Sequence, residues 1–327
     1  MKETRKYLVV PAAAVGLSLV LSGCQAGAAG GTTANYPSKA VTVLMPYAAG
    51  GPSDLTARTL SSCLGDSLGQ TFVVENKAGG SGAVAMQELA SAKPDGHTLG
   101  LGTAGTLVMT PLVNELAYSL DDFTPLGVMA ENPTLIVVGD ESPYESAKEF
   151  FAAAEKHPGT LTVGVPGATS PAAIELQRLR NEYGVDVVAV PASGNAEMTT
   201  SLLGGHVDAL FINDHPDVNS RIDEGTFRPL AATTSERLRW LPELPTLTEL
   251  GYTDLVNATS VFGLFAPKDL PTPIIEDLES ALEACMTDSA VLEQLGENLV
   301  PEEFQDGAAL GESLAEIQAL YRPILER

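Results

Sequence analysis

The sequence predicts an α/β protein built as two lobes, each a mostly parallel sheet flanked by helices. Three observations lead there. From Tyr36 onward, short apolar runs of strand length alternate with amphipathic runs of helix length. That alternation is completed once, broken by the Pro- and charge-rich "GDESP", and then begun again. Finally, after a Pro-rich link, an isolated apolar strand "SVFGLFAP" returns the chain towards its first half. Strand–helix–strand alternation implies parallel strands joined by right-handed crossovers.

The elements follow in order. "AVTVLM" reads as a buried strand, residues 53–68 as an amphipathic helix stopped at Gly69, and "TFVVEN" as a second strand. "KAGGSG" is a glycine turn, "AVAMQELASA" a helix, "PDG" a turn, "HTLGLG" a third strand, and "TLVMTPLVNEL" a helix-like run. "PTLIVVG" is the strand that ends this half. The second half runs helix "SAKEFFAAAEKH", strand "TLTVGV", helix "AAIELQRLRNEY", strand "VDVVAV", helix "EMTTSLLGG" and strand "VDALFI", then a helix near "DVNSRIDEG" and strand "RPLAAT". Helices near 273–287 and 307–324 close the chain. With crossings at Leu135–Val138 and Phe262–Ala266, lobe one is expected at 36–137 plus 260–327 and lobe two at 138–259.

The N-terminus carries an address. "MKETRK" is charged, and the apolar segment behind it has signal-peptide length. It ends in Leu21-Ser22-Gly23-Cys24, which resembles the bacterial lipobox, cut before a cysteine that then carries lipid. Residues 1–23 are read as a lipoprotein signal peptide, Cys24 as the lipidated residue, and 24–35 as a flexible Gly/Ala/Thr tether. The expected location is extracytoplasmic, on the outer face of a bacterial cytoplasmic membrane or in the periplasm.

Composition narrows the partners. Asp and Glu number 42 against 18 Lys and Arg, a formal charge of −24, which argues against nucleic acid. Beyond Cys24, Cys63 and Cys285 read as two buried thiols, with a single disulfide between the front and back of the chain as the alternative.

Four corners share one design, a strand, a loop of small residues, then a helix start: Tyr47–Asp54, Gly102–Thr106, Pro166–Ser170 and Pro191–Ala196. Ligands of open parallel sheets settle beyond the carboxyl ends of the strands. A helix start there offers unpaired N–H groups and a partial positive charge, and small residues let an oxygen approach them. Such a corner can hold a carboxylate without lysine or arginine. The acidic surface does not forbid this, because its field is screened beyond about 8–10 Å at moderate salt.

Other chemistries are weaker. "GLGTAG" matches G-x-G-x-x-G but ends the third strand of its unit, and Asp121 and Asp122 at the acidic offset follow no strand, so a dinucleotide cofactor is not expected. The cluster His206, Asp208, Asp214, His215 and Asp217 reads as a strand followed by a helix capped by Asp214 rather than as a metal site. No G-x-S-x-G, P-loop or H-E-x-x-H occurs, and "NAT" at 257–259 reads as chance. No cofactor and no metal are expected.

Gly50-Gly51 followed by Asp54, Val73–Asn76 as "VVEN", and Pro94–Gly96 as "PDG", with "SLLGGHVDAL" and "LPTLTELGY" further on, carry a likeness over essentially all of the chain from Tyr36. The chain resembles the substrate-binding proteins of tripartite tricarboxylate transporters, the TctC or Bug family. The resemblance implies a Venus-flytrap, periplasmic-binding-protein-like fold without catalysis, delivering a small organic carboxylate to a permease of one large and one small subunit. A sensory lipoprotein, or an exported enzyme using the same cleft, are the alternatives. Carried onto this sequence, the ligand residues are Tyr47, Ala49, Gly50, Gly51, Ser53 and Asp54 with Thr103, Gly105 and Thr106 in lobe one. In lobe two they are Gly167, Thr169, Ser170, Ser193, Gly194, Asn195 and Asn213. Departures fall in lobe two: "VPASG" supplies Ala192 and Ser193 where relatives often have tyrosine and lysine, Ala173 stands near a frequent histidine, and Ile212-Asn213 replaces a frequent Asp-Asn. The far wall is expected to be smaller and less basic than usual.

Overall fold

In a computed structural model of the chain, the structure describes residues 36–253, 255, 259–296, 299–301 and 303–325. The expected signal peptide, the expected lipidated Cys24, the expected tether and most of the "NAT" sequon lie outside the described residues.

The first half runs β1 (Val41–Met45), α1 (Pro52–Leu68), β2 (Phe72–Asn76), α2 (Ala83–Ala90) and β3 (Thr98–Gly102). A π-helical turn over Gly105–Met109 leads into α3 (Thr110–Val113), and β4 (Phe123–Asn132) follows. The second half is β5 (Thr134–Gly139), α4 (Ala147–Lys156), β6 (Thr162–Val165), α5 (Pro171–Tyr183), β7 (Val188–Pro191), α6 (Asn195–Leu203), β8 (Ala209–Asn213), α7 (Pro216–Asp223) and β9 (Phe227–Ala232). The chain returns through β10 (Ser260–Pro267) and ends in α8 (Thr272–Met286), α9 (Ser289–Leu295) and α10 (Gly307–Leu325).

Two five-stranded sheets result, ordered β2-β1-β3-β10-β4 and β7-β6-β8-β5-β9. In each, four strands run one way and a single strand, β10 or β5, runs against them. The odd strand is the one arriving from the other lobe. It enters at the carboxyl ends of its neighbours, so it must run backwards. The first crossing therefore lies at Asn132–Thr134, ahead of the expected Leu135–Val138, and residues 134–137 pair with β8 and β9 of the second sheet.

Strand β4 is absent from the sequence reading because Pro125 and Gly127 interrupt it with turn signals. It tolerates both as an edge strand with register shifts against β10. Its outer edge is not left open: Val128 N–H donates to the Gln305 carbonyl and Glu131 N–H to that of Leu299. Helix α9 is likewise absent from that reading; Asp288 caps it, accepting from the amides of Ala290 and Val291.

Helix α1 shows how local signals set the first corner. Pro52 opens it, Gly69 closes it in the left-handed conformation, and Ala57, Leu60 and Leu64 form a buried stripe at helical spacing. That stripe joins Val41, Val43 and Met45 of β1 and Leu278 and Leu282 of α8 in one core. Burying each such leucine contributes about 1.5–3 kcal/mol. The opposite face of the sheet packs α2 and α10 around Leu89, Phe265 and Leu314. The second sheet is sandwiched the same way, with Phe150 and Leu179 on one face and Met198 and Val218 on the other.

Cys63 on α1 and Cys285 on α8 are joined in a disulfide, Cα atoms 5.8 Å apart, which corrects the reading of two free thiols. Nothing in the local pattern of either helix announces the pairing; the packing of α1 against α8 creates it. Among the described residues, no helix is long and apolar enough to cross a membrane.

Candidate ligand-binding site

The carboxyl ends of both sheets face one cavity of about 480 Å³, within the range typical of small-molecule sites. It is lined from lobe one by the β1–α1 corner, Pro46 to Ser53, and by Thr103 and Gly105 after β3. From lobe two come Pro166 to Pro171 before α5 and Pro191 to Glu197 at the start of α6, with Asn213 at the end of β8. Of the residues expected at the site, all but Asp54 and Thr106 line this cavity.

Asp54 stands behind the wall. Its carboxylate accepts from the Gly50 amide at 2.9 Å, from Arg58 Nε at 3.0 Å and from Asn76 Nδ2 at 2.9 Å. Asn76 also donates to the Tyr47 carbonyl at 3.0 Å. Burial alone would push the Asp54 carboxyl up, but the hydrogen bonds from Arg58, Asn76 and Gly50, with the Arg58 charge, outweigh it and hold the group below its ordinary range. Asp54 is thus a latch tying the corner to α1 and β2, not a free partner for a ligand. It also occupies the Gly50 N–H that was expected to face outward.

Thr106 is spent similarly. Its hydroxyl donates to the Thr103 carbonyl at 3.1 Å and accepts from the Thr103 amide at 3.0 Å. Thr103 Oγ1 lies 2.9 Å from the Tyr47 hydroxyl, which fixes the aromatic ring at the cavity edge. Ser170 lines the cavity, yet its hydroxyl serves as the N-cap of α5, accepting from the Ala173 amide at 3.2 Å and donating to the Gly167 carbonyl. Ser193 directs both its amide and its hydroxyl at Glu197, at 2.8 and 2.6 Å.

What remains open to a ligand is mostly backbone. The starts of α1 and α6 have Gly51 and Gly194 as N-caps, with no side-chain cap. Their first-turn amides have no partner inside the helix. Gly50 and Gly167 sit at φ +90° and +102°, where a side chain would be strained, so glycine is what lets these loops bend around the cavity. Among the described residues that line it, no side chain is cationic and one, Glu197, is anionic.

Several lining residues escaped the sequence reading. Ala78, Gly79, Ser81 and Gly82 form a fifth corner between β2 and α2, whose glycine run reads as a turn like any other. Ser260 and Phe262 enter from β10, which only the crossing brings to the cavity. The first two glycines of "GLGTAG" have a packing role instead: a Cβ on Gly100 would fall 2.8 Å from Leu89, and one on Gly102 2.6 Å from Leu107. In the acidic cluster, His215 rather than Asp214 caps α7, accepting from the Asp217 amide, and Asp208 is held by Thr162.

The two lobes touch around the cavity. Thr110 and Thr169 hydroxyls lie 2.9 Å apart, and Met109 and Tyr321 pack on Ile174. At the crossings, Asn213 Nδ2 donates to the Asn132 carbonyl at 3.2 Å and to Ser260 Oγ at 2.8 Å, so one cavity residue is tied to both connecting strands.

Two mixed α/β lobes enclosing a cavity at their strand ends define a bilobed solute-binding protein of the periplasmic-binding-protein class. The comparisons agree. Residues 56–314 match the model of the tripartite tricarboxylate transporter family receptor, and the chain belongs to that family. It is 33% identical over 297 residues to the UPF0065 protein of the TAR-I ttuE-ttuC' intergenic region of Agrobacterium vitis, covering 89% of this chain and 85% of that one. A solved periplasmic transporter superposes with TM-score 0.82 at 28% identity, covering 89% and 98% of the two chains. MatC from Rhodopseudomonas palustris, solved with bound malate, superposes with TM-score 0.79 at 31% identity, covering 89% and 100%.

Proposed function

We propose that this protein is an extracytoplasmic solute-binding lipoprotein, anchored through Cys24, that captures a small organic carboxylate and hands it to a two-subunit permease. The observation that carries the reading is the cavity itself. Strand-to-helix corners from both lobes converge on it, with uncapped starts at α1 and α6 and, among the described residues that line it, no cationic side chain. A carboxylate fits such a surface because peptide N–H groups and the positive ends of helix dipoles supply what lysine or arginine would otherwise supply. The malate in MatC is a ligand of that class. Export is supported by the Cys63–Cys285 disulfide, a bond that persists in oxidising compartments.

The ligand would act by favouring the closed arrangement, through contacts made to both lobes at once. Lobe one would grip the carboxylate with the α1 amides and the Ser53 hydroxyl. Lobe two would complete the shell with the amides around Gly167–Thr169 and at the start of α6. The ligand would leave chemically unchanged.

A thermal-shift screen of the exported protein against carboxylates, sugars and amines tests the core of this. Carboxylates should raise the melting temperature, and stabilisation by sugars or amines alone would reject the reading. Mass spectrometry of the protein recovered from membranes should find diacylglycerol on Cys24 and lose it in Cys24→Ser. Chromatography of a bound carboxylate after incubation should recover it intact.

A further inference from the structure

At the lobe-two end of the cavity, the loop that opens α6 is already serving an anion. Ser193 Oγ donates to Glu197 Oε2 at 2.6 Å and the Ser193 amide donates to the same oxygen at 2.8 Å. This is the geometry with which an uncapped helix start would receive a carboxylate from outside. Here the helix supplies the carboxylate itself, four residues on. The Ser193 hydroxyl, then its amide, hold the Glu197 carboxyl below the ordinary glutamate range, so it is ionised at neutral pH. It is also the one charged side chain among the described residues that line the cavity. At the opposite end, the start of α1 has its first-turn amides uncapped and no acid facing the cavity, since Asp54 is turned inward onto Arg58 and Asn76.

Taking the carboxylate reading above as given, we infer that Glu197 makes the far end of the site anion-rejecting, so that the ligand is a carboxylate whose other end is neutral or cationic. The asymmetry follows from the chemistry of the two ends. One end offers free donors and no negative charge. At the other, a fixed negative charge stands among the donors and already takes those of Ser193. A second ligand carboxylate there would meet the exposed charge of Glu197 at contact range, well inside the screening length of about 8–10 Å. It would also find the Ser193 amide and hydroxyl already taken, and could use them only by displacing Glu197. A hydroxyl, an apolar group or an ammonium pays neither penalty. Glu197 is in this sense a specificity residue, acting by exclusion rather than by attraction.

The test is calorimetric titration of the exported, full protein with two length-matched sets: pentanoate, 5-aminopentanoate and glutarate, and benzoate, 4-(aminomethyl)benzoate and terephthalate. In whichever set binds, the dicarboxylate should bind at least about tenfold more weakly than the monocarboxylate or amino acid. In Glu197→Gln that ratio should shrink at least about fivefold, and the amino acid should lose its advantage over the monocarboxylate. Glu197→Asp, which keeps the charge, should stay nearer the parent ratio, and circular dichroism confirms that each variant is folded. A parent protein that binds the dicarboxylate as tightly as its partners, or an unchanged ratio in Glu197→Gln, overturns the inference and leaves the carboxylate reading standing. Binding of no member of either set overturns both.

Discussion

Tyr321 on α10 donates its hydroxyl hydrogen bond to Glu175 on α5, joining the C-terminal helix of one lobe to the second helix of the other. Both side chains are fully buried, and Arg178 pairs with Glu175 at 3.2 Å from the other side. A buried carboxylate held by two partners in two lobes is a contact between the lobes lying away from the cavity, and in the closure mechanism proposed above it stabilises the closed arrangement. Tyr321→Phe removes one partner and should cost the closed arrangement about 1–2 kcal/mol. Ligand affinity should fall roughly tenfold, for 1.4 kcal/mol is tenfold. Titration calorimetry with small-angle scattering checks this; an unchanged affinity would show that the contact does not bias closure.

Asp214 supplies a pH test. It is fully buried, and among the described residues neither carboxylate oxygen completes a hydrogen bond. Burial pushes its carboxyl up to about 6, and the nearby Trp240 and Asn219 side chains and His215 amide offset this only in part. A folded-state pKa above the ordinary 3.8 means that the folded protein holds its proton more tightly. Its contribution to stability is therefore full below about pH 4 and lost as pH rises through about 6, a change on the order of 2–3 kcal/mol. Asp214→Asn should flatten that part of the stability profile and gain about 1–3 kcal/mol at pH 8. A less stable variant at pH 8 would mean that the ionised carboxylate is well satisfied.

The disulfide closes a sequence separation of 222 residues. Cross-linking so long a loop removes much chain entropy from the unfolded state, and the ordinary gain is about 2–4 kcal/mol. Cys63→Ala with Cys285→Ser should lower the denaturant midpoint accordingly, and reductant should do the same to the parent but not to the double variant. Equal sensitivity of both to reductant would contradict the assignment.

The Asp54 latch predicts a coupled loss. Asp54→Ala removes acceptors for Gly50, Arg58 and Asn76 together. Because half of Arg58 is exposed, the ion pair itself contributes little, and the expected cost is about 2 kcal/mol, chiefly from unmet hydrogen bonds. Ligand affinity should drop at least tenfold, since the β1–α1 corner loses its anchor. In the parent, the latch's contribution is present above the ordinary carboxyl range and lost as pH falls below it, because the Asp54 group is depressed. A variant that melts lower yet binds normally would separate the latch from the site.

Much of the fold was legible because its signals are local. Pro52 and Gly69 bracket α1, the period of its apolar residues fixes its buried face, and the small residues at four corners mark where strands end and helices begin. The misses share a cause. Strand β4 hides behind Pro125 and Gly127, which only an edge position and the cover of Leu299 and Gln305 make tolerable. Phe262 and Ser260 reach the cavity only because β10 crosses between lobes.

By itself the sequence determined most of the strands and helices, β4 and α9 excepted, and which corners could cradle an oxygen, for these depend on neighbours a few residues away. Tertiary structure decided what each polar group does with its hydrogen bonds. Asp54 and Thr106 turned inward, Cys63 met Cys285 across two helices, and Glu197 took the donors of Ser193. A donor or acceptor satisfies the nearest partner in space, and that partner exists only once the chain has folded.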